Sequence, residues 1–184
     1  MKLEKLSEPA AEPVLLAEVR HFLKLDHHAD DVVLSGLISS ARQVCEDFIG
    51  RKLIAQTWRW TLNDWPAEDI FLPLSPVISL SEIEVWQEGA FQSVVLDDVL
   101  LDQDSFRPRL VPDALIWPEP DRDVNGIHIT FVAGYGSDWN AVPHAVRQGI
   151  LHWIAGAYEN RDGLNADSQT MAEKLWQPYR DIKL

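Results

Sequence analysis

The residues of this 184-residue chain that could do chemistry are few and poorly grouped. Gly134-Tyr135-Gly136 follows a strand-like run and precedes a helical one, which is where a phosphate cradle would sit. It lacks the lysine and third glycine of a nucleotide loop, so a structural turn is the better reading. His27 and His28 stand beside Asp26, Asp30 and Asp31, but adjacent residues at a helix start rarely converge on one ion. His144 and His152 are two helical turns apart, too far to share a metal. Asp97, Asp98, Asp102 and Asp104 lack the spacing and turn glycine of a calcium loop. Cys45 lies in an apolar helical pattern and reads as a buried thiol rather than a nucleophile. No nucleophile elbow, zinc-helix motif or dinucleotide fingerprint occurs. The sequence therefore predicts no catalytic residue, cofactor or metal. A small cytoplasmic hydrolase or ligand-binding protein using the 133–136 loop is the alternative.

Composition narrows the partners. Apolar residues make up 46% of the chain and charged residues 24%, with a formal net charge of −13. Residues 1–92 carry 15 acids and 8 Lys or Arg, and residues 93–184 carry 14 and 8, so linear halves share the acidity evenly. No basic stripe is present to neutralise phosphates, which argues against sequence-reading DNA binding. Apolar runs of about four residues fall far short of the roughly 20 that span a bilayer. A single cysteine excludes an internal disulfide. Eight tryptophans imply dense aromatic packing or large interfaces.

The elements that would position these residues form an α+β pattern. Helices are predicted near 13–25, 29–49, 143–158 and 170–178, with a β-rich insertion at about 53–132. In the second helix Leu34, Leu37, Ile38, Ala41, Val44, Cys45, Phe48 and Ile49 mark the buried stripe, and Gly50 stops it. Gln56–Leu62 and Ile127–Val132 alternate as strands. Val77–Gln87 is the clearest strand, and its alternation slips near Ser81–Glu82 as at a bulge. Glu88-Gly89-Ala90 reads as a hairpin turn into Phe91–Leu96. Gly149 and Gly156 each cost about 1 kcal/mol against alanine in a helix, which suggests the close approach of another backbone. Thr170 and Glu173 match a capping box for the last helix. Pro178 ends that helix or kinks it.

Four segments in order carry a resemblance. Ala41-Arg42-Gln43-Val44-Cys45-Glu46-Asp47-Phe48-Ile49-Gly50-Arg51-Lys52-Leu53 resembles the A-R-x-x-x-E-x-x-x-G-R-x-L stretch of head–tail connector (adaptor) proteins of long-tailed double-stranded DNA phages. Leu72-Pro73-Leu74-Ser75-Pro76-Val77-Ile78-Ser79-Leu80 is similar to their L-P-x-x-P-V-x-S-I strand entry. Phe131-Val132-Ala133-Gly134-Tyr135-Gly136, then Val142-Pro143, then Tyr158-Glu159-Asn160-Arg161, matches their F-x-A-G-Y-G, V-P and Y-E-N-R run. Leu175-Trp176-Gln177-Pro178-Tyr179-Arg180 is close to the closing L-L-x-P-Y-R, with Trp176 in place of the second leucine. Together they cover about 14–180. Related adaptors also occur in gene transfer agents.

The resemblance implies a single connector domain over 1–184, with a helical body at 13–52 and 137–184. It implies a structural, non-enzymatic subunit of a ring, usually twelve-fold, below the portal protein at the neck of a virion or phage-like particle. The ring extends the DNA channel and offers a platform to the next tail or stopper component. DNA passes the lumen without specific binding, no membrane is involved, and the chain occupies the host cytoplasm before assembly. The C-terminal segment, about Asp167–Leu184, would dock against the portal. An acidic protein suits a conduit through which phosphates slide. A closing ring needs head-to-tail contacts, and aromatic side chains are good anchors for them. The expected portal and ring contacts are Trp58, Trp60, Trp86, Arg161, Leu175, Trp176, Tyr179 and Arg180. For the strand tryptophans, core packing is an equal reading.

Overall fold

A computed structural model describes residues 1–67, 69–103, 107–112, 117–160 and 166–181. Among them are four α-helices and two antiparallel sheets, an α+β fold. The chain divides into two compact units. A strand-rich unit holds Met1–Pro9 and Ala55–Tyr135; a helical unit holds Ala10–Ile54 and Gly136–Leu184.

In the strand-rich unit, β1 (Lys2–Lys5), β2 (Gln56–Leu62), β4 (Val77–Gln87), β5 (Ala90–Ser93) and β8 (Ile127–Ala133) form a sheet in the order β1-β2-β8-β4-β5. A smaller sheet has the order β3-β7-β6, from β3 (Ile70–Phe71), β6 (Val99–Asp102) and β7 (Arg109–Pro112). Alternation gives β2 and β8 a common inner face. Trp60 pairs with Ile129 and Leu62 with Ile127, and all four are buried with Phe131, Ile83 and Val85. Ile70, Leu72 and Leu110, in or beside the smaller sheet, complete the same core. The slip expected in β4 is present as register shifts at Val77/Ser79 and Leu80/Glu82, which keep Ile83 and Val85 facing inward. Glu88 and Gly89, both at positive φ, turn β4 into β5, as a two-residue hairpin of the primed type requires.

Two features of this unit have no counterpart in the sequence reading. β1 lies outside the expected β segment at 53–132. Its four residues are all exposed, so no buried alternation marks it, and its pairing with β2 alone defines it. The acidic stretch from 97 onward also does structural work. Arg109 on β7 bonds Asp102 on β6 and Asp69 just before β3, which ties the three short strands together.

In the helical unit, α1 is Leu16–Phe22, α2 Asp31–Ile49, α3 His144–Glu159 and α4 Ala166–Trp176. α1 is shorter than 13–25. Leu15 is extended, its N–H held by the Glu18 carboxylate at 2.8 Å, and Lys24 adopts positive φ. α4 begins before Thr170. Glu173 accepts from the Gln169 side chain at 2.8 Å, a turn-spaced contact within the helix, so the pair does not cap the N-terminus. Leu34, Ile38, Ala41, Cys45 and Ile49 form the α2 stripe and meet Val146, Ile150 and Ile154 of α3 in the unit's core. Val44, expected in the stripe, is 41% exposed; its place on the buried side is taken by Arg42 and Glu46.

Candidate assembly surface

The motif residues prove to be joints of the fold. Ala41 is fully buried against the neighbouring helices, and Arg42 donates to Glu12 at 2.8 Å. Glu46, 3% exposed, accepts from the Leu53 N–H at 3.1 Å and from Lys52 at 3.0 Å. This carboxylate therefore fixes the chain leaving α2. Gly50 takes a left-handed φ of 70°, and its N–H closes the helix on the Glu46 carbonyl. The closing Pro178-Tyr179-Arg180 run returns to this point. It forms a short 3₁₀ turn at Gln177–Tyr179, Arg180 lies over the Phe48 ring at 5.5 Å, and the Asp181 N–H donates to the Ile49 carbonyl at 2.6 Å. Tyr158 donates to Asp30 at 2.7 Å, which ties the end of α3 to the start of α2.

The glycine loop has no free amide to offer a phosphate at Gly134. That N–H donates to the Pro76 carbonyl at 2.9 Å, and the residue has φ 144°, where only glycine is at ease. Gly136 forms a bridge with Ile54, and a Cβ there would collide with Ala141. Burial pushes the Cys45 thiol well up, helped by the Glu46 charge, so it stays protonated and inert. Among the described residues, no group of His, Cys, Asp and Glu is placed to hold a metal ion.

The nominated contact residues separate into three places. Trp60, on the inner sheet face, is 8% exposed and belongs to the core; Trp58 beside it is half-buried against the same cluster. Trp176 is 1% exposed. Its indole N–H donates to the Val146 carbonyl at 3.0 Å, and its ring meets Phe48 at 5.9 Å. The close approach expected at Gly149 is this indole and not a backbone, since a Cβ there would overlap it. Trp60 and Trp176 are thus interior residues, because each lies where two packed layers meet. Leu175 and Tyr179 are half-buried, and Arg180 is exposed at the C-terminal end of α2. Arg161 lies outside the described residues.

Trp86 occupies a third place, on the sheet face opposite the core. Phe91 meets it edge-on at 5.1 Å, and Arg122 stacks over its ring at 4.1 Å. Phe91 also stacks on His128 at 4.0 Å. Glu84 lies 3.6 Å from that imidazole and 4.0 Å from Arg59. Burial, then the Arg59 charge, holds His128 below the usual histidine range, so the ring is neutral near pH 7. The pattern of β4 and β8 shows these residues alternating with the core, but their clustering depends on strand order.

No protein-family model matches the chain, and no curated protein matches it. Solved structures do. The chain is similar over its whole length to a chain of gene transfer agent particles. In the virion of a native particle the match has TM-score 0.84 at 27% identity, covering 100% of this chain and 97% of the other. In the neck of an empty particle computed with C6 symmetry the values are 0.85 and 26%, with the same coverage. In the neck of a native particle computed with C12 symmetry they are 0.82 and 26%, again covering 100% and 97%.

Proposed function

We propose that this chain is a structural, non-enzymatic subunit of the neck of a phage-like particle of the gene transfer agent type. The observation that carries the reading is the end-to-end match to chains of such particles, with nothing of consequence left over on either side. The chain is a connector: a helical body with a β-rich insertion, assembled as a ring, twelve-fold as the C12 neck suggests, below the portal protein. It lengthens the DNA channel and seats the next tail component. Of the expected contact residues, Trp58, Trp86, Leu175, Tyr179 and Arg180 keep exposed surface that a neighbour can cover. The acidity supports a lumen that DNA passes without sticking.

Cryo-electron microscopy of particles carrying an affinity-tagged copy tests this. Ring density with the tag at the neck is expected. Particles that are complete at the neck yet contain no copy of the chain by mass spectrometry would overturn it.

A further inference from the structure

The five-stranded sheet has two free edges, β1 and β5. All four residues of β1 are exposed, and so are Ala90, Gln92 and Ser93 of β5. The strand pairing tells which backbone groups point outward. The Leu6 N–H donates to Thr57, so alternate β1 residues Glu4 and Lys2 face β2, and Leu3 and Lys5 turn their N–H and C=O groups out. The Val94 N–H donates to Ile83, so Gln92 and Ala90 face β4, and Phe91 and Ser93 turn theirs out. Each edge therefore presents two residues, two positions apart, whose ladder groups have no strand partner among the described residues.

A ring of identical subunits requires two different surfaces that fit one another, and these edges meet that need. Five strands in strict antiparallel alternation make β1 and β5 run the same way. A neighbour related by rotation thus brings its β1 alongside β5 in parallel, and both sheet faces stay continuous. A β1–β1 or β5–β5 join would instead need neighbours related by a two-fold axis, which a head-to-tail ring does not supply.

We propose that β1 of one subunit pairs in parallel with β5 of the next, so that the sheets of the ring form one belt; this rests on the ring reading above. Leu3 stands opposite Gln92. Its N–H donates to the neighbour's Phe91 carbonyl, its carbonyl accepts from the Ser93 N–H, and the Lys5 N–H donates to the Ser93 carbonyl. Strands about 4.8 Å apart make each sheet about 24 Å wide, and twelve of them close a belt of radius about 46 Å, ample for a DNA channel.

The test is an intersubunit disulfide in assembled particles carrying Leu3→Cys and Gln92→Cys in one chain. Within a chain the two positions lie on opposite edges with three strands between them, beyond disulfide reach, and Cys45 is buried. On oxidation, a ladder of crosslinked multimers is expected on a non-reducing gel, absent from either single variant. Leu3→Pro removes an outward N–H and leaves the bonds of Lys2 and Glu4 to β2 in place, and Leu3→Ala is the control for loss of the side chain opposite Trp60. Leu3→Pro should match Leu3→Ala in circular dichroism and melting temperature as an isolated chain, and it alone should fail to enter particles. Particles with the chain at the neck but no Leu3–Gln92 crosslink would overturn the edge pairing alone, as would dimers from Leu3→Cys by itself. Absence of the wild-type chain from the neck would overturn the connector reading and the pairing with it.

Discussion

Gly149→Ala sets intrinsic helix propensity against packing. Propensity alone favours alanine by about 1 kcal/mol in a helix interior. The structure places the new methyl inside the van der Waals envelope of the Trp176 indole. That ring cannot retreat into solvent: it is 1% exposed, held by its N–H on the Val146 carbonyl and by contact with Phe48. Overpacking of this kind costs about 1–3 kcal/mol, and displacement of the indole loses a hydrogen bond of about 1 kcal/mol. After the propensity gain, a net loss of about 1–3 kcal/mol is expected, or about 2–4 °C in melting temperature per kcal/mol for a chain of this size. Urea denaturation followed by tryptophan fluorescence measures it. In a Trp176→Ala background the clash is gone, so Gly149→Ala should there stabilise by about 1 kcal/mol. Equal or greater stability of Gly149→Ala in the otherwise native chain would refute the packing argument, as would the same effect in both backgrounds.

Glu46→Ala removes the carboxylate that holds Leu53 and Lys52 and lies 3.7 Å from Arg42. Breaking a buried ion pair from one side costs about 3–5 kcal/mol, and thermal melts should show a large loss. Gly134→Ala forces a Cβ onto φ 144° and should cost about 1–3 kcal/mol, read by chemical denaturation. His128 is depressed in the folded chain, by burial first and the Arg59 charge second. The unfolded chain therefore binds the proton more tightly. Stability is full above about pH 6.5, the ordinary histidine value, and falls as pH drops toward the folded value. His128→Gln should flatten that part of the stability–pH curve.

The helices, the long strands and the β4 bulge were legible in the sequence because each has a buried face, and burial writes a period into the chain. Gly50 was legible for a related reason, since a left-handed helix stop favours one residue type. The start of α4 was not, because Gln169 gave Glu173 a partner inside the helix that the capping-box pattern cannot foresee. β1 was not, because four exposed residues have no period to show. Trp60 and Trp176 carry no mark of whether a neighbour subunit or the chain's own core covers them.

The sequence by itself determined an acidic α+β chain without a metal or nucleotide motif, since composition and periodicity are properties of the linear order. Only the tertiary structure decided where the charge resides. The strand-rich unit gathers 16 acids against 6 Lys and Arg, net −10, and the helical unit 13 against 10, net −3. The even split of the linear halves hides this, because each half contains parts of both units. The tertiary structure also decided which strands are edges. That depends on strand order, which is set by pairing between segments as far apart as Lys2 and Thr61, and no local pattern encodes it.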